Sequence, residues 1–201
     1  MPYMKQLWKV WVAVMMLTVF ARGAQAAPFD RQFIDSMVPH HESALVMAQM
    51  AVTKARLPQV KVLARGIISD QQREIAQMKA WRKAWFGSAQ VPMSMTNDKG
   101  VMMSGMKMSN MKMSMPGTMM GLPMKMEMDM GKLNRAKGRD FDKMFLEMMI
   151  PHHASAIVMA DEARNTSGRP QIRTLARNII DAQAKEIGQM HVLHDRYFGH
   201  I

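Results

Sequence analysis

Apolar and small side chains recur every three, four or seven residues in two stretches near the start of the chain, which is the spacing of one face of a helix. The first stretch follows Asp30, a residue type that caps helices, and ends near Arg56. The second begins at Pro58, which suits the first turn of a helix, and stops at Gly87. The pattern therefore predicts a helical hairpin.

The same pattern returns 112 residues later. Residues 29–87 and 141–199 agree at 27 of 59 positions without a gap. We therefore predict a first hairpin over 27–87 and a second over 140–201. A hairpin this short has a marginal core of its own. The fold class expected is all-α, a four-helix bundle of two repeated hairpins joined by a long crossover.

A histidine pair follows a proline inside the first helix of each copy, as Pro39-His40-His41 and Pro151-His152-His153. The proline either kinks the helix or opens a new one. A lone core histidine would usually bond a backbone carbonyl, but here the pair occurs twice with methionines on the same helix face. Metal ligation is the favoured interpretation. The candidate ligands of the two pairs are Met37, His40, His41 and Met47, and Met149, His152, His153 and Met159.

Counting residues away from each hairpin turn predicts which side chains of the two helices face each other. His41 and Glu74 lie at nearly the same distance from the turn near Leu57, roughly 25 Å at about 1.5 Å per residue. Each helix pair should thus bring histidine, methionine, glutamine and glutamate to one layer. Polar residues that interrupt an apolar stripe must be paired or bound, and we expect them to orient the rings. These supporting residues are Gln71, Glu74, Gln183 and Glu186, and the further candidate ligands are Met78, Met190, His191 and His194.

The segment between the hairpins, residues 88–139, has no helical periodicity and is rich in methionine. Methionine supplies 15 of the 38 residues from 93 to 130. A polar linker has no core for these side chains to fill, so we predict that it captures metal ions and lacks fixed structure without them. The predicted capture residues are Met106, Met108, Met111, Met113, Met115, Met124, Met126, Met128 and Met130.

The absence of cysteine together with 28 methionines selects the kind of metal. Thioether and imidazole without thiolate favour monovalent copper, Cu(I), and by the same logic silver. Zinc would prefer a tetrahedral set with more histidine, cysteine or carboxylate. The cofactor or cargo predicted is therefore copper, with silver as a second soft ion.

Residues 1–26 have the pattern of a cleavable signal peptide, with small residues before a cut after Ala26. The apolar run is shorter than the ~20 residues of a spanning helix, although an uncleaved anchor is the alternative. Removing this segment lowers the net charge from +11 to +8, because it contains three basic residues and no acid. The remaining charge favours at most a weak contact with an anionic membrane surface. No aromatic-basic pattern indicates nucleic acid.

The repeated block resembles the domain-of-unknown-function family numbered 305, in two tandem copies. Both copies contain F-D-x-x-F-x-x-x-M-x-P-H-H-x-S-A-x-V-M-A and L-A-R-x-I-I-x-x-Q-x-x-E-I-x-Q-M. The resemblance implies a ferritin-like four-helix bundle and a relation to periplasmic copper-binding members in which Met and His bind copper or silver. It points to the same eight residues of the two histidine pairs, while the methionine-rich linker lies outside the family motif.

We therefore expect an exported periplasmic protein that sequesters or delivers Cu(I), contributes to copper tolerance and transforms no substrate. The expected partners are metal ions and either a copper exporter or another periplasmic copper protein. One alternative is a ferritin-like di-iron oxidase, but no Glu in the chain is followed by His three residues later. The other is a metal-free envelope interaction module in which the histidines only close hydrogen bonds.

Overall fold

The structure is a computed structural model that describes the backbone of residues 3–91 and 130–201 and the side chains of 28–91 and 130–201. Its helices are α1 (Tyr3–Lys54), α2 (Pro58–Phe86), α3 (130–135), α4 (Gly138–Thr166) and α5 (Pro170–Phe198). Over these ranges the only strand-like pairing is an isolated bridge between Ala55 and Gly138. The predicted all-α fold of two hairpins is confirmed. Among the described helices, none combines the length and the apolar character needed to cross a bilayer.

The hairpin turns are built as their sequences predict. Pro58 and Pro170 each open the second helix of a hairpin, where their missing N–H costs no helical hydrogen bond. Gly87 ends α2 with a positive φ of 82°, and its N–H bonds the carbonyl of Lys83. The other prolines, Pro39 and Pro151, lie inside continuous helices. The alternative that they open new helices is therefore wrong, because packing on both sides holds each helix together across the missing hydrogen bond.

Each copy fixes the hairpin turn of the other copy with a buried aspartate. The sequence suggested that Asp30 caps the start of a helix. The structure contradicts this prediction, because α1 runs through Asp30. Its carboxylate instead accepts hydrogen bonds from Ser167 Oγ and, at 2.6 Å, from Arg169 Nη1. The equivalent Asp142 accepts two backbone N–H bonds of 2.9 Å from the α1–α2 turn. These reciprocal contacts show that α1 and α4 run antiparallel.

The helices pack as two hairpins, α1 on α2 and α4 on α5, which meet mainly along α1 and α4. Their core is divided into two apolar halves with polar side chains between them. The first core half surrounds the α1–α2 turn and includes Ala51, Val60, Phe141 and Phe145. The second surrounds the α4–α5 turn and includes Ile34, Ala160, Ile172 and Ile179. The buried polar residues between the halves include His41, His152 and His153, and His40 lies partly buried beside them.

Helix α3 lies in the segment that the sequence assigned to the linker. Leu133 is fully buried and Met130 packs partly buried against the first core half. Six residues are too few for a helix to form from local preference alone, so this contact with the core is what stabilises it. Val91, at the other end of the crossover, packs against the second core half. The segment between Val91 and Met130 therefore connects opposite ends of the bundle.

Candidate metal centre

The two histidine pairs meet where α1 crosses α4, at the middle of the bundle. His40 Nε2 lies 2.7 Å from Ser155 Oγ, and His152 Nε2 lies 2.8 Å from Ser43 Oγ. The two imidazole rings face each other with centroids 3.8 Å apart. Because residues 112 positions apart exchange identical contacts, an approximate two-fold axis passes between the pairs. The centre is therefore built by both copies together.

The serine hydroxyls fix which ring nitrogen carries the proton. Ser43 Oγ donates to the carbonyl of His40, and Ser155 Oγ donates to the carbonyl of His152, each at 2.7 Å. A hydroxyl that has donated its only proton can only accept from an imidazole. Nε2–H of His40 and of His152 must therefore be the donors. In the neutral rings this leaves the lone pair on Nδ1.

The second histidine of each pair donates to a glutamate on the partner helix of its own hairpin. His41 Nε2 lies 2.7 Å from Glu74 Oε2, and His153 Nε2 lies 2.9 Å from Glu186 Oε2. This is the pairing that residue counting predicted. Both imidazoles are fully buried. Since a carboxylate only accepts, these rings also have Nε2 engaged and Nδ1 directed elsewhere.

All four Nδ1 atoms are buried and have no hydrogen-bond partner among the described residues. The four histidines are His40, His41, His152 and His153. Buried polar atoms without partners are rare in native proteins, and each one asks for an explanation such as a bound ion. Imidazole nitrogens whose opposite N–H is held by a serine or a carboxylate have the arrangement found in metal-bound histidines.

Burial keeps the central rings uncharged. Desolvation, followed by the neighbouring His41 and His153, lowers the pKa of His40 to about 3. Desolvation, followed by His40, His153 and His41, lowers the pKa of His152 well below its usual value. Both rings are neutral at neutral pH, so their Nδ1 lone pairs need no deprotonation before they bind a cation.

The predicted methionine ligands lie on both sides of the histidine layer. Met37 and Met47, expected together in the first copy, belong to opposite core halves. The same holds for their equivalents in the second copy, so each half combines methionines of both copies. The first core half contains Met47, Met149 and Met190, and the second contains Met37, Met78 and, partly buried, Met159. Thioethers therefore flank the imidazoles above and below.

Two buried glutamines add unpaired polar groups to the middle of the bundle. Gln71 and Gln183 were expected to orient the rings, yet their amide nitrogens and oxygens have no hydrogen-bond partner among the described residues. Each is only 2% exposed. The glutamates perform the expected orienting contact, whereas the glutamines leave a polar interior that is open to further ligation.

The remaining candidates are farther from this layer or outside the description. His191 is exposed, and His194 is buried with Nδ1 2.8 Å from the carbonyl of Gly199. Met130 lies at the start of α3. The other predicted capture residues lie outside the described residues: Met106, Met108, Met111, Met113, Met115, Met124, Met126 and Met128. Only the backbone is described at Ala26, and cleavage after it stays a prediction.

No three His, Asp or Glu side chains are grouped as metal ligands within residues 28–91 and 130–201. Imidazole nitrogens with thioethers on either side fit a cation that accepts few nitrogen ligands together with thioether sulfur. Sequence reasoning missed Ser43 and Ser155, although the serine shared by both copies of the P-H-H-x-S motif was a signal.

Comparison with known proteins gives the same architecture. A structure described as CopM in the Cu(I)-bound form is 34% identical, with 85% of this chain and 98% of that chain covered and a TM-score of 0.64. CopM in the Ag-bound form is 35% identical with the same coverage and a TM-score of 0.63. A curated relative, the uncharacterized protein L153 of Acanthamoeba polyphaga mimivirus, is 35% identical over 69 residues, 34% of this chain. That match spans 45% of the viral protein's length.

The sequence pattern of the domain of unknown function (DUF305) matches residues 30–194, which include both histidine pairs, both buried aspartates and most of the antiparallel bundle. The resemblance noted from the repeated motif is thereby confirmed. This chain belongs to the DUF305 family.

Proposed function

We propose that this protein binds soft monovalent metal ions, Cu(I) and Ag(I), through imidazole nitrogens and thioethers in the interior of the bundle. The observation that carries the proposal is the set of four buried Nδ1 atoms without hydrogen-bond partners at one level of the fold. Four such polar atoms would be costly to bury unless a ligand satisfied them. A cation is the ligand that neutral imidazole nitrogens accept.

The chemistry of the donors supports a soft ion. The chain has no cysteine, and the buried sulfur on either side of the histidines is all thioether. Thioether sulfur and imidazole suit Cu(I) and Ag(I) better than the harder divalent ions. The bound forms of CopM, which shares the fold at 34–36% identity, include a Cu(I) form, an Ag form and a Cu(II) form. The donor chemistry of this chain makes Cu(I) and Ag(I) the first ions to test here.

The linker methionines are proposed to take part in metal binding as well. They lie between two points of attachment at opposite ends of the bundle, Val91 and Met130. We propose that they capture ions at low specificity and pass them to the bundle, whose buried ligands hold them more firmly. The protein would act in the periplasm, sequester copper or hand it to an exporter or another copper protein, and contribute to copper tolerance. It would transform no substrate.

The test replaces all four histidines, His40, His41, His152 and His153, with glutamine. Glutamine Nε2 can still donate to the serines and glutamates that the rings contact, but glutamine has no equivalent of Nδ1. Competition titration with Ag(I), or with Cu(I) under reducing conditions, should show the tightest sites weakened by at least ~10-fold, since loss of supporting groups alone costs that much.

The matched control is His200→Gln, because His200 is exposed and contacts an exposed carboxylate, that of Asp195 at 2.9 Å. Its titration should match that of the unaltered protein. Circular dichroism and thermal unfolding establish that both variants are folded. A folded four-glutamine variant that keeps the tightest Ag(I) sites unchanged contradicts the proposal.

A further inference from the structure

A buried ion pair of the first copy is replaced in the second copy by a histidine and a glutamate. In the first copy the guanidinium of Arg82, 3% exposed, pairs with both carboxylate oxygens of Asp35. The residues 112 positions later are His194 and Glu147. His194 Nε2 lies 3.4 Å from Glu147 Oε1. The second copy thus places an imidazole beside a carboxylate where the first copy holds a permanent positive charge.

The backbone orients the imidazole of His194. Its Nδ1 lies 2.8 Å from the carbonyl oxygen of Gly199, and a carbonyl only accepts, so Nδ1 carries the proton. In the neutral ring the lone pair is then on Nε2. That atom is buried and has no hydrogen-bond partner among the described residues. An imidazole held by a backbone carbonyl with its other nitrogen free has the arrangement of a metal ligand.

His191 lies one turn before His194 on the same side of α5. The first copy shows which way this position points, because its equivalent, Lys79, bonds Glu42 Oε1 at 2.6 Å. Glu42 is two turns after Asp35 on α1, so both acids lie on one face of that helix. The equivalent face of α4 bears Glu147. His191 therefore lies along the face that Glu147 and His194 share, and it is exposed, which gives solvent access.

We propose that His194 Nε2 and Glu147 Oε1 bind one borderline divalent cation, Zn²⁺ or Cu²⁺, at the end of the second hairpin. The exposed ring of His191 is not grouped with them in the structure and turns toward the cation when it binds. Nitrogen and oxygen ligands without sulfur suit these ions, and water completes the coordination. The cation supplies the positive charge that Arg82 supplies in the first copy. Lys143 Nζ, 3.8 Å from the same Glu147 oxygen, is half exposed and is displaced on binding. The site is separate from the soft-ion centre and does not rest on the proposed function.

The test titrates the purified full-length protein with Zn²⁺ at neutral pH, using calorimetry for affinity and native mass spectrometry for stoichiometry. His194→Arg rebuilds the ion pair that the first copy already buries, so the fold is expected to hold. This variant should bind one zinc ion fewer, or bind it at least ~10-fold more weakly. Glu147→Gln should have the same effect, since it removes the carboxylate charge and keeps the size of the side chain.

His200→Arg is the matched control, because it replaces another histidine that contacts a carboxylate at the same end of the bundle. It should leave zinc binding unchanged. A further variant transplants the site into the first copy through Asp35→Glu, Lys79→His and Arg82→His. If folded, it should bind one additional zinc ion per chain.

Unchanged zinc binding in folded His194→Arg overturns the proposal, as does an equal loss in His200→Arg. Ag(I) titration of the same variants separates this site from the bundle centre. His194→Arg should keep the tight Ag(I) sites, and the four-glutamine variant should keep this zinc ion. Either site can therefore fail without the other.

Discussion

A buried carboxylate at the end of the bundle, Asp142, balances two opposing effects. Burial raises the pKa of this group, and the backbone N–H donors of Leu57 and Arg56 lower it by less. The charged form is therefore held at a cost. The cost is tolerated because the α1–α2 turn would otherwise bury two backbone donors without partners, at about 1–3 kcal/mol each.

Replacing Asp142 with asparagine should make stability depend less on pH. An acid whose folded pKa is raised above its unfolded value of 3.8 stabilises the fold below that value, and this contribution is lost as pH rises through the folded pKa. The free energy of unfolding of the unaltered protein, relative to Asp142→Asn, should thus fall from pH 3.5 to pH 7. Urea unfolding of the metal-free proteins at both pH values measures it.

Asp142→Ala provides the comparison that isolates the hydrogen bonds. It removes both acceptor atoms and should lower the free energy of unfolding by roughly 2–6 kcal/mol at every pH, since two buried donors are left unpaired at about 1–3 kcal/mol each. The free energy of unfolding of the unaltered protein, relative to Asp142→Asn, could instead rise with pH. That result would show that folding favours the charged carboxylate, contrary to the burial argument.

The contacts that sequence could predict at this scale are those within one hairpin. Counting from the turn placed His41 opposite Glu74, because two antiparallel helices joined by a short turn have a fixed register. The same counting could not pair Ser43 with His152, since that contact joins helices whose relative height no short connection sets. The role of Asp30 was mistaken for the same reason: its partners, Ser167 and Arg169, are 137 and 139 residues away.

Among the helices, the first of each hairpin combines an interior proline with the metal centre. Proline inside a helix costs ~3 kcal/mol relative to alanine, because it removes a hydrogen bond and crowds the carbonyl four residues earlier. Pro39 and Pro151 immediately precede the histidine pairs within α1 and α4. The two prolines change the local backbone just before the histidines. Their energetic cost is explained if this change directs the imidazole rings toward the two-fold axis between the copies.

Pro39→Ala should therefore separate stability from metal binding. The free energy of unfolding of the metal-free protein should rise by ~1–3 kcal/mol as the helical hydrogen bond is restored. The affinity for Ag(I) should fall, because the rings are no longer aimed as before. Denaturant unfolding and Ag(I) competition on the same samples measure both quantities.

Pro58→Ala is the control for this experiment, since proline at the first position of a helix costs no hydrogen bond. It should leave Ag(I) affinity unchanged. If Pro39→Ala binds Ag(I) as tightly as the unaltered protein, the proline serves the helix path and not the metal centre.

Helix boundaries followed from local signals wherever such signals exist. Pro58, Gly87 and Pro170 mark helix ends in the sequence and in the structure. Helix α3 has no such signal. Its six residues are helical because Leu133 packs into the first core half, which is a tertiary contact and not a local preference. A periodicity argument needs several turns to detect a stripe, so this helix was assigned to the linker.

For the whole molecule, the crossover must reach from one end of the bundle to the other. Helix α2 has 29 residues, which span roughly 40 Å at about 1.5 Å per residue. About a dozen extended residues are needed to cover that distance. Simply deleting the methionine-rich segment would therefore pull the bundle apart, and its contribution has to be tested at constant length.

Replacing the methionines between 93 and 128 with serine should lower the number of Ag(I) ions bound per chain and leave the tightest sites unchanged. Serine keeps the linker polar and of equal length but removes the soft ligands. Native mass spectrometry counts the ions, and competition titration reports the tight sites. Loss of the tight sites in this variant would place them in the linker and not in the bundle.

At this scale the sequence predicted the fold class and the repeat, and the structure added how the copies are combined. Periodicity placed Met37 and Met47 on the core-facing side of one helix. It could not show that they belong to opposite core halves, each completed by methionines of the other copy. That distribution depends on the antiparallel crossing of α1 and α4, which only tertiary packing determines.

The contacts between the two copies are reciprocal. His40 contacts Ser155 as His152 contacts Ser43, and Asp30 and Asp142 each bond the hairpin turn of the other copy. This is the pattern of an isologous interface between identical subunits. The molecule is in effect a homodimer whose subunits have been fused and then allowed to diverge. The fusion tether raises the effective concentration of one hairpin near the other. It also frees each half to change alone, as the histidine that stands in the place of Arg82 illustrates.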